Sequence, residues 1–483
     1  MQITAIQQII GLLLMLFSVT LLPPALVGVF YGDGAVYPFL ISFIIILISG
    51  LVFWLPVRTL RPDLRLRDGF IIVVVFWVVW GLSGALPFAL SANPHLSITD
   101  SVFEAVSALT TTGATVITNI DSLPHSILFY RQQLQWLGGM GIIVLAVAIL
   151  PMLGIGGMQL YRAETPGPMK NNKLTPRITE TAKALWYIYL GLTIACAIAY
   201  WLAGMGGFDA ITHSFSTIAI GGFSTHDASI GYFNSTAIEM VAVVFMLLAG
   251  INFALHFVAW RTLDVRTYLH DPEVQTYFFI LGVVAFITVG YLYLTDTFTN
   301  LGSAIHHGIF QVVSIGTTSG FTTTDYYTWP GFLPVLLIFT SFVGGCAGST
   351  GGGMKVIRFL LLYKQGMREI ARLVHPNALI PVKIGNKALP ETVINAVWGF
   401  FSLYVASFVI LMLLLQATGH DQVTSFSAIA ACINNLGPGL GEVGVNYKDI
   451  SDTAKWILGF AMLLGRLEIF TLLVLLTPTF WRK

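Results

Sequence analysis

Ten apolar stretches of about 20 residues or more run along this chain, and that is the length at which a helix crosses the hydrocarbon core of a bilayer. They fall near 3–29, 36–56, 69–90, 126–154, 182–204, 235–260, 274–295, 331–362, 390–417 and 453–480. In lipid every backbone polar group has to be satisfied within the protein, which a helix achieves locally. The chain is therefore expected to be an all-α polytopic membrane protein. Composition agrees, with 56% apolar residues and 10% charged ones, against about 25% charged in a soluble domain. The stretch from Gln2 to Phe30 has no charged side chain and no small-residue cleavage site, so it is expected to be the first transmembrane helix rather than a signal peptide.

Charge placement orients these spans. Of 24 Lys and Arg, 20 lie in 56–68, 155–183, 261–271, 355–388 and the last two residues, and cytoplasmic loops carry such an excess. With ten spans, both termini are then expected inside. The opposite face holds Asp33, Asp121, Asp227, Asp296, Asp325, Asp421, Glu442, Asp449 and Asp452 with few bases, a field that concentrates cations at an entrance. The net charge is +1 and no basic patch is interleaved with aromatics, so no nucleic-acid partner is expected. Cys196, Cys346 and Cys432 stand far apart within apolar segments, which suits packing thiols rather than a disulfide framework or a zinc site.

Between several spans lie shorter Ser/Thr/Gly-rich stretches, all on the acidic face, that are too short to cross. Four share a pattern: Ser107–Thr115 SALTTTGAT, Ser216–Ser224 STIAIGGFS, Ser314–Thr322 SIGTTSGFT and Ala431–Gly439 ACINNLGPG. Each carries a glycine at the same offset, at Gly113, Gly222, Gly320 and Gly437, and Ser107, Ser216 and Ser314 precede theirs by six residues where the fourth loop has Ala431. Four re-entrant loops around one axis can replace the hydration shell of a monovalent cation with backbone carbonyls, and glycine permits the dihedrals this needs. A short helix before each loop, capped by Asp100 in the first repeat and Asp209 in the second, would aim its negative end at the membrane centre. An anion pore would instead want Arg or Lys rings.

The motifs TTTGAT, AIGGFST, TTSGFTT and NNLGPG, with GGCAGSTGGGMK at Gly344–Lys355, resemble the Trk/Ktr/HKT superfamily of potassium transporters and within it the bacterial TrkH-type membrane subunits. The resemblance covers essentially residues 69–483. It implies two N-terminal transmembrane helices (1–68) and four helix, pore-loop, helix repeats (69–181, 182–273, 274–389 and 390–483) in pseudo-fourfold arrangement around one pore. It also implies potassium as transported ion, no covalently bound cofactor, a homodimer in the lipid of a bacterial inner membrane, and a cytosolic TrkA-like ring of nucleotide-binding regulatory domains. The filter would comprise Thr111, Thr112 and Gly113; Ile220, Gly221 and Gly222; Thr318, Ser319 and Gly320; and Asn435, Leu436 and Gly437.

The glycine-rich run inside the third repeat is too rich in Gly for a stable helix, and irregular backbone at membrane depth is tolerated where it lines a cavity. A phosphate-binding loop needs Gly followed directly by Lys-Ser/Thr, whereas Met354 separates Gly353 from Lys355. Within this ten-residue run, Gly344–Gly353, the residues Gly345, Cys346, Ala347, Gly348, Ser349, Thr350, Gly351, Gly352 and Gly353 are expected to form a gate. Arg466 and Glu468 fall inside the last span, where a charge faces a partner or water. Either they satisfy each other or a helix end, or Arg466 points into the pore beside the gate, as the family resemblance implies. Glu104, His213, His306 and His307 read as helix-end partners. A symporter coupled to sodium or protons and a less selective cation channel stay open as alternatives. An intramembrane hydrolase using Ser224 with His226 lacks supporting motifs, and a scaffold that moves nothing would not need four such loops.

Overall fold

The computed structural model describes residues 3–59, 66–141, 178–385 and 387–482. Six of its helices are long and apolar enough to cross a membrane: Ile3–Tyr31, Val36–Val57, Arg67–Leu90, Ala182–Leu202, Pro272–Leu294 and Glu391–Gln416. Two further candidate spans are bent pairs, Thr236–Ala249 with Phe253–Thr262 at 94° and Asp452–Arg466 with Ile469–Leu476 at 113°. The expected span at 126–154 begins as a helix over His125–Gly139, and its second half lies outside the described residues. The span expected at 331–362 is split into Leu333–Val343 and Val356–Val374 with the glycine-rich run between them. Strand structure among the described residues is limited to the pair Lys383–Ile384 and Lys387–Ala388.

Between consecutive long helices sit four short ones, Ile98–Leu109, Gly207–Ala219, Leu301–Gly316 and Gln422–Ile433. At 12 to 16 residues they reach about 18–24 Å at 1.5 Å per residue, short of a core of about 30 Å. Each therefore ends inside the membrane and the chain turns back. The capping expectation is corrected. Ser97 caps the first short helix by accepting from the Asp100 N–H, and Asp100 sits in the first turn, where its carboxylate accepts from the Ser97 hydroxyl at 2.9 Å. Gly206 is the cap position of the second, which frees the Asp209 carboxylate to accept from the Thr225 hydroxyl at 2.7 Å.

Large apolar side chains such as Ile44, Ile48, Phe279, Phe286 and Ile410 are exposed on the flanks of the long helices. A bilayer gives such flanks an apolar solvent, so helix association depends on close backbone approach. The N-terminal pair shows it. A Cβ on Gly11 would stand 2.7 Å from Trp54 N and 2.8 Å from Gly50 O, and one on Gly50 would stand 2.9 Å from Gly11 O. This pair is tied to the first repeat through the Trp80 indole, which donates to Leu13 O at 3.2 Å. Gly50→Val is expected to lose about 1–3 kcal/mol through overpacking, read as a lowered unfolding midpoint in detergent, while Ile48→Val on the lipid-facing flank leaves the midpoint unchanged.

Candidate functional site

The four loops share one backbone design. Two residues before each glycine the chain turns left-handed, at Thr111 (φ 56°), Ile220 (53°), Thr318 (71°) and Asn435 (54°). The glycines are left-handed too, with φ of 80°, 76°, 85° and 92° at Gly113, Gly222, Gly320 and Gly437. In every loop the N–H just before the glycine returns to the carbonyl six residues before it: Thr112 to Ser107 O (2.9 Å), Gly221 to Ser216 O (2.9 Å), Ser319 to Ser314 O (2.7 Å) and Leu436 to Ala431 O (2.8 Å). The shared partner is a backbone oxygen. That is why Ala431 serves where the other loops have serine.

The glycines close a circuit. A Cβ built on Gly113 would lie 2.2 Å from Gly221 O, one on Gly222 2.0 Å from Ser319 O, one on Gly320 2.2 Å from Leu436 O, and one on Gly437 2.7 Å from Thr112 O. Each glycine thus abuts the carbonyl of the residue preceding the glycine in the next loop, and the fourth returns to the first. All twelve residues expected to form the filter are brought to this ring, beneath a cavity of about 340 Å³ lined in part by Gly113, Gly222, Gly320 and Gly437.

Side chains behind the ring hold the loops. Buried Arg131 donates from Nε to Glu104 Oε1 (2.9 Å), from Nη1 to Ser224 O (3.1 Å) and from Nη2 to Thr115 Oγ1 (3.1 Å), while Glu104 also accepts from the Val116 N–H at 3.0 Å. Glu104 is thus a loop anchor rather than a helix-end partner. Gln135 donates to Gly221 O (2.6 Å) and accepts from the Phe223 N–H (3.1 Å). The Tyr447 hydroxyl donates to Gly437 O at 2.7 Å, and that of Tyr326 to Gly439 O at 3.0 Å. Sequence reasoning missed Arg131 and Gln135, although a charge and amides inside an apolar span were the available signal. Ser224 Oγ lies 2.9 Å from His213 Nε2 and accepts from the backbone N–H of His226, not from its imidazole, so the hydrolase pair does not form.

Directly on the other side of the ring lies the glycine-rich run. Its Gly352 N–H donates to Thr318 Oγ1 (2.7 Å), its Thr350 hydroxyl to Ile218 O (2.8 Å) and its Gly353 N–H to Asn434 O (3.1 Å). Gly345 through Gly353 thereby contact three of the four repeats, with Cys346 donating to Gly250 O and Ala347 to Glu273 Oε1. Arg466 Nη1 donates to Thr350 O (3.2 Å) and Thr111 Oγ1 (3.1 Å), and Nη2 to Gly138 O (2.7 Å). Arg466 and Glu468 do not pair with each other. Glu468 accepts from Arg358 at 2.6 Å, and both charges line a small cavity of about 70 Å³ with Gly351, Gly352, Gly353 and Asn435.

On the ring's wide side, His226 stands between the carboxylates of Asp121 and Asp209, the latter 3.6 Å from its Nε2. Burial acts to lower the imidazole pKa, but the two carboxylates outweigh it and hold His226 above its ordinary value. For Asp121, burial is likewise outweighed by the hydrogen bond with His226, and its pKa lies below the ordinary value.

Residues 37–483 match the TrkH family, described as cation transport protein. The Trk system potassium uptake protein TrkH of Vibrio parahaemolyticus is 61% identical over the full length of both chains, and TrkH of Escherichia coli 56% identical, again over both full lengths. The Trk system potassium uptake protein TrkG of Escherichia coli is 44% identical over 98% of this chain and 97% of its own. The crystal structure of the potassium transporter TrkH from Vibrio parahaemolyticus superposes over the whole of both chains with a TM-score of 0.91 at 58% identity.

Since the folded pKa of His226 exceeds the unfolded value of about 6.5, its contribution to stability is fully present below that pH and is lost as pH rises through the folded value. The unfolding midpoint of the unaltered protein should exceed that of His226→Gln at pH 6, and the difference should shrink steadily toward pH 9.

Proposed function

The chain belongs to the TrkH family of cation transport proteins, and on that premise we propose that it takes up potassium through a gated, channel-like pore whose filter is the ring of four loops. The observation that carries the proposal is the circuit of glycine-to-carbonyl contacts, because a closed ring of backbone oxygens is what a dehydrated potassium ion requires. The names of the relatives, potassium uptake proteins of a Trk system, support the choice of ion. Thr111–Gly113, Ile220–Gly222, Thr318–Gly320 and Asn435–Gly437 form the filter, within pore repeats 69–181, 182–273, 274–389 and 390–483 behind the helices of 1–68. Gly345–Gly353 and Arg466 form the gate.

In this proposal the protein is a homodimer in the inner membrane of a bacterium, with the wide cavity facing out and both termini in the cytoplasm. A cytosolic TrkA-like ring binds on the basic side. Supporting that surface, the helix Val356–Val374 exposes Phe359, Tyr363, Ile370 and Leu373 beside half-buried Arg372. Of the other basic loop, 155–183, residues 155–177 lie outside the described residues. Reconstitution of the purified chain in liposomes, with flux of K⁺, Rb⁺, Cs⁺, Na⁺ and Li⁺ compared, tests the ion. Flux that follows the potassium gradient alone fits a channel, flux that requires a sodium or proton gradient makes the protein a symporter, and equal sodium flux makes it a less selective cation channel.

Gly113→Ser and Gly320→Ser each place a Cβ 2.2 Å from a ring carbonyl at a left-handed position, so both should lose potassium over sodium discrimination while still conducting. Unchanged relative permeability in both would remove the filter assignment. Arg466→Ala and shortening of Gly345–Gly352 should each raise flux in the absence of a partner, about tenfold for every 1.4 kcal/mol of barrier removed, with potassium preference intact. The combined variant should gain less than the sum, because Arg466 holds the loop through Thr350 O.

A further inference from the structure

We infer that Glu239, His306 and His307 form a binding site for a first-row transition-metal dication of the zinc class, placed where the second and third repeats meet beside the loop that follows Gly320. Glu239 lies in the first turn of Thr236–Ala249, and the two histidines lie in the second turn of the third short helix. One ligating atom from each falls within 4.8 Å of the other two. Tetrahedral zinc, with bonds of about 2.0–2.1 Å, holds its ligands about 3.3 Å apart, so closing the widest pair takes about 1.5 Å, within the reach of side-chain rotation.

An ordinary ion pair does not account for the arrangement. Glu239 Oε2 and His306 Nε2 stand 2.7 Å apart, yet the contact lacks hydrogen-bond geometry, and both atoms are buried without any hydrogen bond among the described residues. A dication beside the pair would take a lone pair from each once the two side chains rotate toward it, opening the 2.7 Å contact to the ligand spacing. His307 is steadied from behind: Nδ1 lies 3.1 Å from Thr323 Oγ1 and the ring stacks on Phe298 at 5.1 Å. Such outer contacts orient metal-binding imidazoles. His306 keeps 18% of its side chain exposed while Glu239 keeps 4%, so an ion has a way in and the carboxylate is screened from water. Two imidazoles and one carboxylate suit zinc, cobalt or nickel, while calcium and magnesium want all-oxygen shells. Three protein ligands leave the fourth position to water. Thr323 is three residues past Gly320, so a metal held here would brace the back of the ring without touching it.

Calorimetric titration of the metal-stripped full-length protein with ZnCl₂ in potassium buffer should find one tight equivalent. His306→Ala with His307→Ala should weaken it at least tenfold, as should Glu239→Gln, while His226→Ala, which removes the imidazole beside Asp121 and Asp209, should leave it unchanged. Zinc-edge X-ray absorption on the unaltered protein provides a readout that no folding defect disturbs, and should show two imidazoles. Unchanged zinc affinity in the double variant, loss of the tight equivalent in His226→Ala, or a spectrum with fewer than two imidazoles would each overturn the site.

Discussion

Everything around the candidate filter depends on the approach of each left-handed glycine to a backbone carbonyl of the neighbouring loop. Distances of 2.0 to 2.7 Å from an imagined Cβ to that oxygen leave room for hydrogen and nothing larger. Four unlike segments can then meet around one axis although their sequences share little besides that glycine. The same closeness explains why each loop has a second left-handed residue two positions earlier. It turns the chain out of its short helix so that the glycine arrives at the ring, and the return N–H to the carbonyl six residues before the glycine keeps the turn paired without any side chain.

Loops at that depth have many backbone groups and no bulk water to satisfy them, so the surrounding helices provide partners. Arg131 and Glu104 illustrate the energetics. Either charge alone, buried as they are, would be strongly unfavourable; together they pair and use their remaining donors and acceptors on Ser224 O, Thr115 and the Val116 N–H. The network joins the first loop to the second. Gln135, Tyr326 and Tyr447 do comparable work elsewhere. A polar side chain inside an apolar span is here a fastener for irregular backbone.

Ring and glycine-rich run are mechanically linked. Thr318 belongs to the third loop and accepts from Gly352, Thr111 belongs to the first and accepts from Arg466, and Arg466 also holds Thr350 O. A rearrangement of the run would break its contacts to Thr318, Ile218 and Asn434 and its link through Thr350 O to Arg466, which holds the first loop at Thr111. Its glycines make this possible, because the left-handed angles at Gly344, Gly348 and Gly353 impose no side-chain strain. The bends of 94° and 113° in the second and fourth repeats occur at the same depth, since Ala249 O and Gly250 O bond the run and Arg466 ends the helix before the second bend.

The sequence by itself determined the helical membrane fold and the existence of four related loops. Apolar length and a glycine at a fixed offset are local properties that survive divergence. It also isolated the glycine-rich run, because ten such residues cannot hold a helix. It did not determine how Asp100 and Asp209 are used, which partner Glu468 takes, or that Arg131 and Gln135 bind the second loop. Those outcomes depend on which groups from segments some ninety residues apart face one another, as Arg131 faces Ser224. The closure of the ring was likewise left to the tertiary structure: a glycine in sequence permits a left-handed turn, but only packing brings the next loop's carbonyl against it, and close contact between distant backbones leaves no pattern in either segment alone.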